Sequence, residues 1–131
     1  MGIGAVSLRN SGKAVAFVYV SDRERALSFY RDKLDLELRS SDQYGDYLEL
    51  PGALLRIMVM PELKPHEHPV LGFEVDDIVS VARALRERGV VLDIFEGWGQ
   101  DELGIWSSED GSSKLAFFKD GDGNALMLSQ G

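Results

Sequence analysis

Residues 15–38 read VAFVYVSDRERALSFYRDKLDLEL, and residues 70–93 read VLGFEVDDIVSVARALRERGVVLD. At an offset of 55 residues the two stretches share one pattern: an apolar strand, a polar helix start, an amphipathic run and a second extended segment. In the first, Ser21 and Glu24 match the S-x-x-E capping box, whose side chains satisfy orphan N–H groups at a helix start. The helix behind it is expected to bury Ala26, Phe29, Tyr30 and Leu34. In the second, Asp76 or Asp77 caps, Ile78, Val81, Ala82 and Leu85 form the buried stripe, and Gly89 stops the helix.

Further strands follow each stretch. DYLEL, the turn PG and ALLRIMVM read as a hairpin in the first half; LGIW, SSEDGSS, KLAFFK, the turn DGDGN and ALMLS correspond to it in the second. Both halves therefore read β-α-β-β-β, with repeat 1 over 14–60, a linker over 61–68 and repeat 2 over 69–129. Within VAFVYV, residues 15, 17 and 19 point to one face and 16, 18 and 20 to the other, and both faces are apolar. One face packs on the helix. The other needs cover, which a strongly curved sheet closing on its repeat would provide, leaving a cleft lined by alternate residues. The expected fold is α+β: one domain, 1–131, in which two βαβββ repeats form a curved mixed sheet with a ligand cleft.

Composition narrows the function. Apolar residues at 44% and charged residues at 27% are ordinary for a folded globular protein. No run approaches the roughly 20 apolar residues of a membrane span, and MGIGAVSLRNSGK lacks the apolar core of a signal peptide, so a cytoplasmic protein is expected. The net charge of -8 opposes binding to nucleic acid. With no cysteine there is no disulfide, no thiolate nucleophile and no zinc–thiolate centre, so a transition metal would have to use His, Asp or Glu.

The paired βαβββ pattern, VSDRERALSFYRDKL after the first strand, FEVDD before the second helix and the terminal LAFFKDGDGNALMLS together resemble the vicinal oxygen chelate superfamily. That group takes in glyoxalases, bleomycin-resistance proteins and extradiol dioxygenases. The resemblance runs from about residue 14 to 129. Two departures are small: Leu34-Asp35 replaces the family's Leu-Gly, and Gly121 replaces the proline of D-P-D-G-N. The resemblance implies that metal-dependent members hold their ion with His or Glu on the first and last strand of each half. Here the first-strand positions fall on Val15 and Val70, and the final-strand positions on Met127 and on either Arg56 or Met58. None is a carboxylate or imidazole, so no metal and no cofactor are expected. His66 and His68 lie in the linker PELKPHEHP and read as a solvated segment rather than a metal centre.

The cleft face then carries Phe17, Tyr19, Arg56, Met58, Glu74 and Met127, an apolar surface suited to aromatic ligands with Arg56 as an anchor for an anionic group. The loop FEGWGQDELGIW adds Trp98 and Trp106 among acidic residues, a composition able to stack on a flat ligand and attract positive charge. In the family this loop commonly closes the ligand site. The reading preferred from sequence is a metal-free, homodimeric binder that sequesters an aromatic or cationic small molecule, as bleomycin-resistance members do. The alternative is an enzyme of the lactoylglutathione-lyase or dioxygenase kind, with a metal site in another register or with Glu74 or Tyr19 moving a proton.

Overall fold

The structure is a computed structural model describing residues 7–131, so the first six residues of the expected 1–131 unit lie outside it. In chain order the elements are α1 (Leu8–Ser11), β1 (Ala14–Val20), α2 (Arg23–Leu27) running into a π-helical turn (Ser28–Lys33), β2 (Leu38–Asp42), β3 (Gly45–Leu50), β4 (Ala53–Val59), β5 (Pro69–Glu74), α3 (Ile78–Glu87), β6 (Trp106–Ser107), β7 (Lys114–Lys119) and β8 (Ala125–Gln130). The one-turn α1 has no counterpart in the sequence reading.

Each half builds one four-stranded mixed sheet, in the orders β1-β4-β3-β2 and β5-β8-β7-β6. In both, the first strand runs parallel to the last and the remaining pairs are antiparallel. The two βαβββ repeats expected from the sequence are thus present, and β1 and β5 meet along their edges. Alternation sorts the faces: Val18 and Val20 are 1% exposed, whereas Phe17 and Tyr19 are 54% and 40% exposed. One cluster beneath the sheets joins Val18, Leu55 and Ile57 of the first half to Ile78, Phe118 and Leu128 of the second.

The turn 120–124 fastens the halves together. The Asp120 carboxylate accepts from the Tyr30 hydroxyl at 2.7 Å and from Asn124 Nδ2 at 2.8 Å, and its other oxygen accepts from the backbone N–H groups of Asp122 and Asn124. Asn124 Nδ2 also donates to the Tyr19 carbonyl at 2.9 Å. Burial first, then the Asp120 charge, pushes the Tyr30 pKa upward and keeps the phenol a donor. This corrects the capping box: Ser21 gives both its N–H and its hydroxyl to Asp122, which also pairs with Arg25, and the helix cap is Asp22, accepting from the Arg25 N–H. In the second repeat Asp77 caps α3 through the Ser80 N–H.

Two other segments differ from expectation. The first helix widens into a π turn, with the Leu34 N–H donating to the Phe29 carbonyl, so that Phe29 and Tyr30 are both buried while Leu34 is only half-buried. Phe29 meets Tyr30 edge-on at 5.0 Å and lies 6.3 Å from Phe118 across the junction. In the second half LGIW contributes only Trp106 to a strand, because side chains take the backbone groups upstream. Gln100 accepts from the Phe95 N–H and donates to the Asp93 and Gly104 carbonyls, while Asp101 accepts from the Leu103 and Ile105 N–H groups.

Asp35 ends the first helix with φ 60, a left-handed conformation that disfavours a side chain. Asp35→Gly is expected to raise stability by roughly 1 kcal/mol, measured as a higher denaturant midpoint with unchanged slope.

Candidate functional site

On the face of the first sheet turned away from the core, strand register places Phe17 and Tyr47 beside Arg56, and Tyr19 beside Met58. Arg56 is 5% exposed. Its Nη2 lies 2.9 Å from both Asp42 oxygens, its Nε 3.1 Å from Met58 Sδ, and the Tyr47 ring sits 4.4 Å from its guanidinium carbon. Nη1 is buried and has no hydrogen-bond partner among the described residues. Asp42 is held in turn by the Tyr44 and Gly45 N–H groups at the β2–β3 turn. Gly45 permits that turn to press on β4: a Cβ there would fall 1.8 Å from the Ile57 carbonyl oxygen.

On the corresponding face of the second sheet, Gly72, Met127 and Phe117 form one cross-strand row, and Glu74, Ser129, Leu115 and Trp106 the next. Phe117 joins the loop that precedes β6. Its ring lies 5.8 Å from Phe95 and 5.8 Å from Trp98, which are 4.9 Å from each other. These three rings, with Glu67 and the Asp93–Lys119 ion pair, line a recess of about 230 Å³. Trp98 is 48% exposed at its edge. A second recess of about 190 Å³, lined only by apolar residues such as Leu34, Phe73 and Leu128, lies on the core side of the sheets.

The expected site residues therefore fall into separate groups. Phe17, Tyr19, Arg56 and Met58 share the outer face of the first sheet, and Glu74 and Met127 that of the second. Trp98 belongs to the aromatic recess, whereas Trp106 is half-buried on β6 and outside it. Glu74 is exposed, and its side chain makes no hydrogen bond or ion pair among the described residues. Asp42, Tyr47 and Phe117 are not among the site residues that the sequence suggests. Phe117 was legible in KLAFFK, where alternation sends Phe118 to the core and Phe117 outward; the Asp42 contact depends on the fold of the β2–β3 hairpin.

The structure also resolves the register of the metal positions implied by the resemblance. Met127 pairs with Gly72, three residues before Val75, and Arg56 pairs with Phe17, three before Val20, so Arg56 rather than Met58 is the equivalent of Met127. Val15 is exposed, and Val70 sits half-buried against the core at a register shift between Pro69 and Leu71. This set does not fit a divalent ion: it offers two alkyl groups, a thioether and a buried cation. Among the described residues, no three His, Asp or Glu side chains are placed to hold a metal, and the exposed His66 and His68 rings stack on each other at 5.1 Å. Nor is any helix long and apolar enough to cross a membrane.

Paired βαβββ sheets with an apolar outer face define a protein of the glyoxalase type, and comparison with known families agrees. Residues 13–128 match the model of the Glyoxalase/Bleomycin resistance protein/Dioxygenase superfamily, and the chain belongs to that family. No curated protein sequence matches it. Among solved structures, the fosfomycin resistance protein FosX from Listeria monocytogenes superposes with a TM-score of 0.72 at 16% identity, over 92% of this chain and 93% of that one. TnmS3, an antibiotic binding protein from a Streptomyces species, gives 0.65 at 27% identity, over 92% and 95%. A glyoxalase/bleomycin resistance protein from Catenulispora acidiphila gives 0.69 at 24% identity, over 91% and 97%.

Two measurements test this geometry. The Arg56 hydrogen bond, followed by the Tyr44 N–H, lowers the Asp42 pKa. The folded value lies below the unfolded one, so the pair's stabilisation is complete above the unfolded value and lost as pH falls through the folded one. The stability difference between the parent protein and Asp42→Asn should accordingly be largest near neutrality and shrink below about pH 4. Gln100→Ala, which frees the Asp93 and Gly104 carbonyls and the Phe95 N–H, should red-shift tryptophan emission as Trp98 loses its fixed place beside Phe117.

Proposed function

We propose that this protein is a metal-independent small-molecule binder that sequesters a planar aromatic ligand, with positive charge on the ligand favoured by the surrounding carboxylates. The observation that carries this reading is the recess formed by Phe95, Trp98 and Phe117. Three rings set at 42° to 89° to one another offer edge and face contacts to a flat guest, and with Asp93 paired to Lys119 the opening keeps the negative charge of Glu67. The net charge of -8 draws cations toward it. One structural relative is an antibiotic binding protein and another a fosfomycin resistance protein, which supports a small molecule as the ligand.

Met127, beside Phe117, extends the recess toward β5, while Phe17 and Tyr19 present a second aromatic surface on β1. In this reading the protein is a cytoplasmic homodimer in which Phe17 and Tyr19, 54% and 40% exposed, stay open as a surface for the ligand. The whole of 1–131 acts as one domain in this reading.

The test is titration of chelator-treated protein with 9-aminoacridine, a planar cation, followed by tryptophan quenching and calorimetry. Quenching should persist in Trp106→Phe and vanish in Trp98→Phe, and Trp98→Ala should weaken binding roughly tenfold, the equivalent of about 1.4 kcal/mol of ring contact. Binding that required an added divalent ion, or that left Trp98 emission unchanged, would overturn the reading.

A further inference from the structure

Arg56 is a side chain whose environment is incomplete. A guanidinium carries five N–H donors. Here Nε faces Met58 Sδ and Nη2 spans both Asp42 oxygens, but Nη1 is shut away from solvent with no acceptor. A buried donor left in this state costs roughly 1–3 kcal/mol, because it has surrendered water and received nothing in exchange. Arg23, which braces Asp46 and the Gly45 carbonyl through Nε and Nη2, is about a third exposed and can turn its other donor to water, a recourse closed to Arg56.

We propose that Arg56 Nη1 is a subsite for an uncharged oxygen acceptor, the ketone or amide carbonyl of an aromatic ligand bound on the outer face of the sheets. The inference rests on the small-molecule reading above and specifies what that molecule must carry. It also revises the expectation that Arg56 anchors an anion. Asp42 already cancels the guanidinium charge at 2.9 Å, and a second carboxylate at Nη1 would stand beside the first on a chain of net charge -8. A carbonyl accepts the same hydrogen bond without that repulsion.

The subsite is preorganised. Asp42, Tyr47 and Met58 fix the guanidinium from three directions, so little order remains to be lost when an acceptor arrives. The neighbour on the open side is Phe17, across on β1 and 54% exposed. A ligand reaches Nη1 by displacing the Phe17 ring, which then lies alongside the ligand's own ring, while Met58 keeps its place against Nε.

Three matched probes test the assignment by calorimetry on the full chain: 2-acetylnaphthalene, 2-naphthoate and 2-ethylnaphthalene. The ketone should bind at least about tenfold more tightly than the hydrocarbon, the gain expected when one buried donor is satisfied, and more tightly than the carboxylate. Arg56→Met should abolish the ketone's advantage while leaving hydrocarbon binding in place, with circular dichroism verifying that the variant folds. Asp42→Asn supplies an independent arm on a partly exposed residue: with the neutralising charge removed, 2-naphthoate should overtake the ketone. If all three probes bind alike, the subsite is refuted and the binder reading stands; if none binds while 9-aminoacridine still does, the subsite alone falls; if 9-aminoacridine also fails, both fall. A ketone preference that survives in Arg56→Met, or a parent protein that prefers the carboxylate, also refutes the subsite.

Discussion

The hydrogen bonds around Asp120 hold together what the chain order separates. A single carboxylate, 7% exposed, engages the turn that carries it and the Tyr30 hydroxyl from the other repeat. Asn124 extends the same knot to the carbonyl of Tyr19 at the end of β1. Buried polar groups tolerate such a position only when every bond is made, so the knot fixes one docking of the halves and penalises others. The placement of β1 against β5, and with it the continuity of the outer faces, depends on this contact.

Given that docking, strand alternation divides the chemistry. Every second residue of β1, β4, β5 and β8 goes to a common core, and its neighbours are left facing outward. The core side is aliphatic and aromatic and carries Asp46, Asp120 and Asn124 as its polar exceptions. The outer side carries the features that a stability argument does not explain: exposed Phe17 and Tyr19, the clamped Arg56, and an aromatic recess built where a loop crosses β7. Excess apolar surface and an unsatisfied donor on the same side of the molecule are the features on which the proposed binding role rests.

The fold was legible because its signals are local and duplicated: two apolar strands, two capped helices and a DGDGN turn all occur at matching places. The helix start was misread at Ser21 because its hydroxyl answers to Asp122, 101 residues away, and no local motif encodes that partner. The π turn was hidden for a related reason, since the burial of both Phe29 and Tyr30 is dictated by Phe118 and Asp120 in the other half. Among the candidate site residues, facing could be assigned by counting along strands, which placed Phe17, Tyr19, Arg56, Met58 and Met127 on the outer side. What surrounds Arg56 could not: Asp42 reaches it only because the hairpin tightened at Gly45 carries the end of β2 to the guanidinium.

Arg56 and Met127 occupy matching stations in the two repeats, yet one is a cation locked to a carboxylate and the other a pliable thioether. Two identical stations would admit a lopsided guest equally well in either direction. In the proposed reading, unequal stations make the repeated scaffold directional, so that a molecule with one oxygenated end and one hydrocarbon end has a single productive polarity. The repeated architecture supplies the frame, and the broken equivalence between its two units supplies the sense of head and tail.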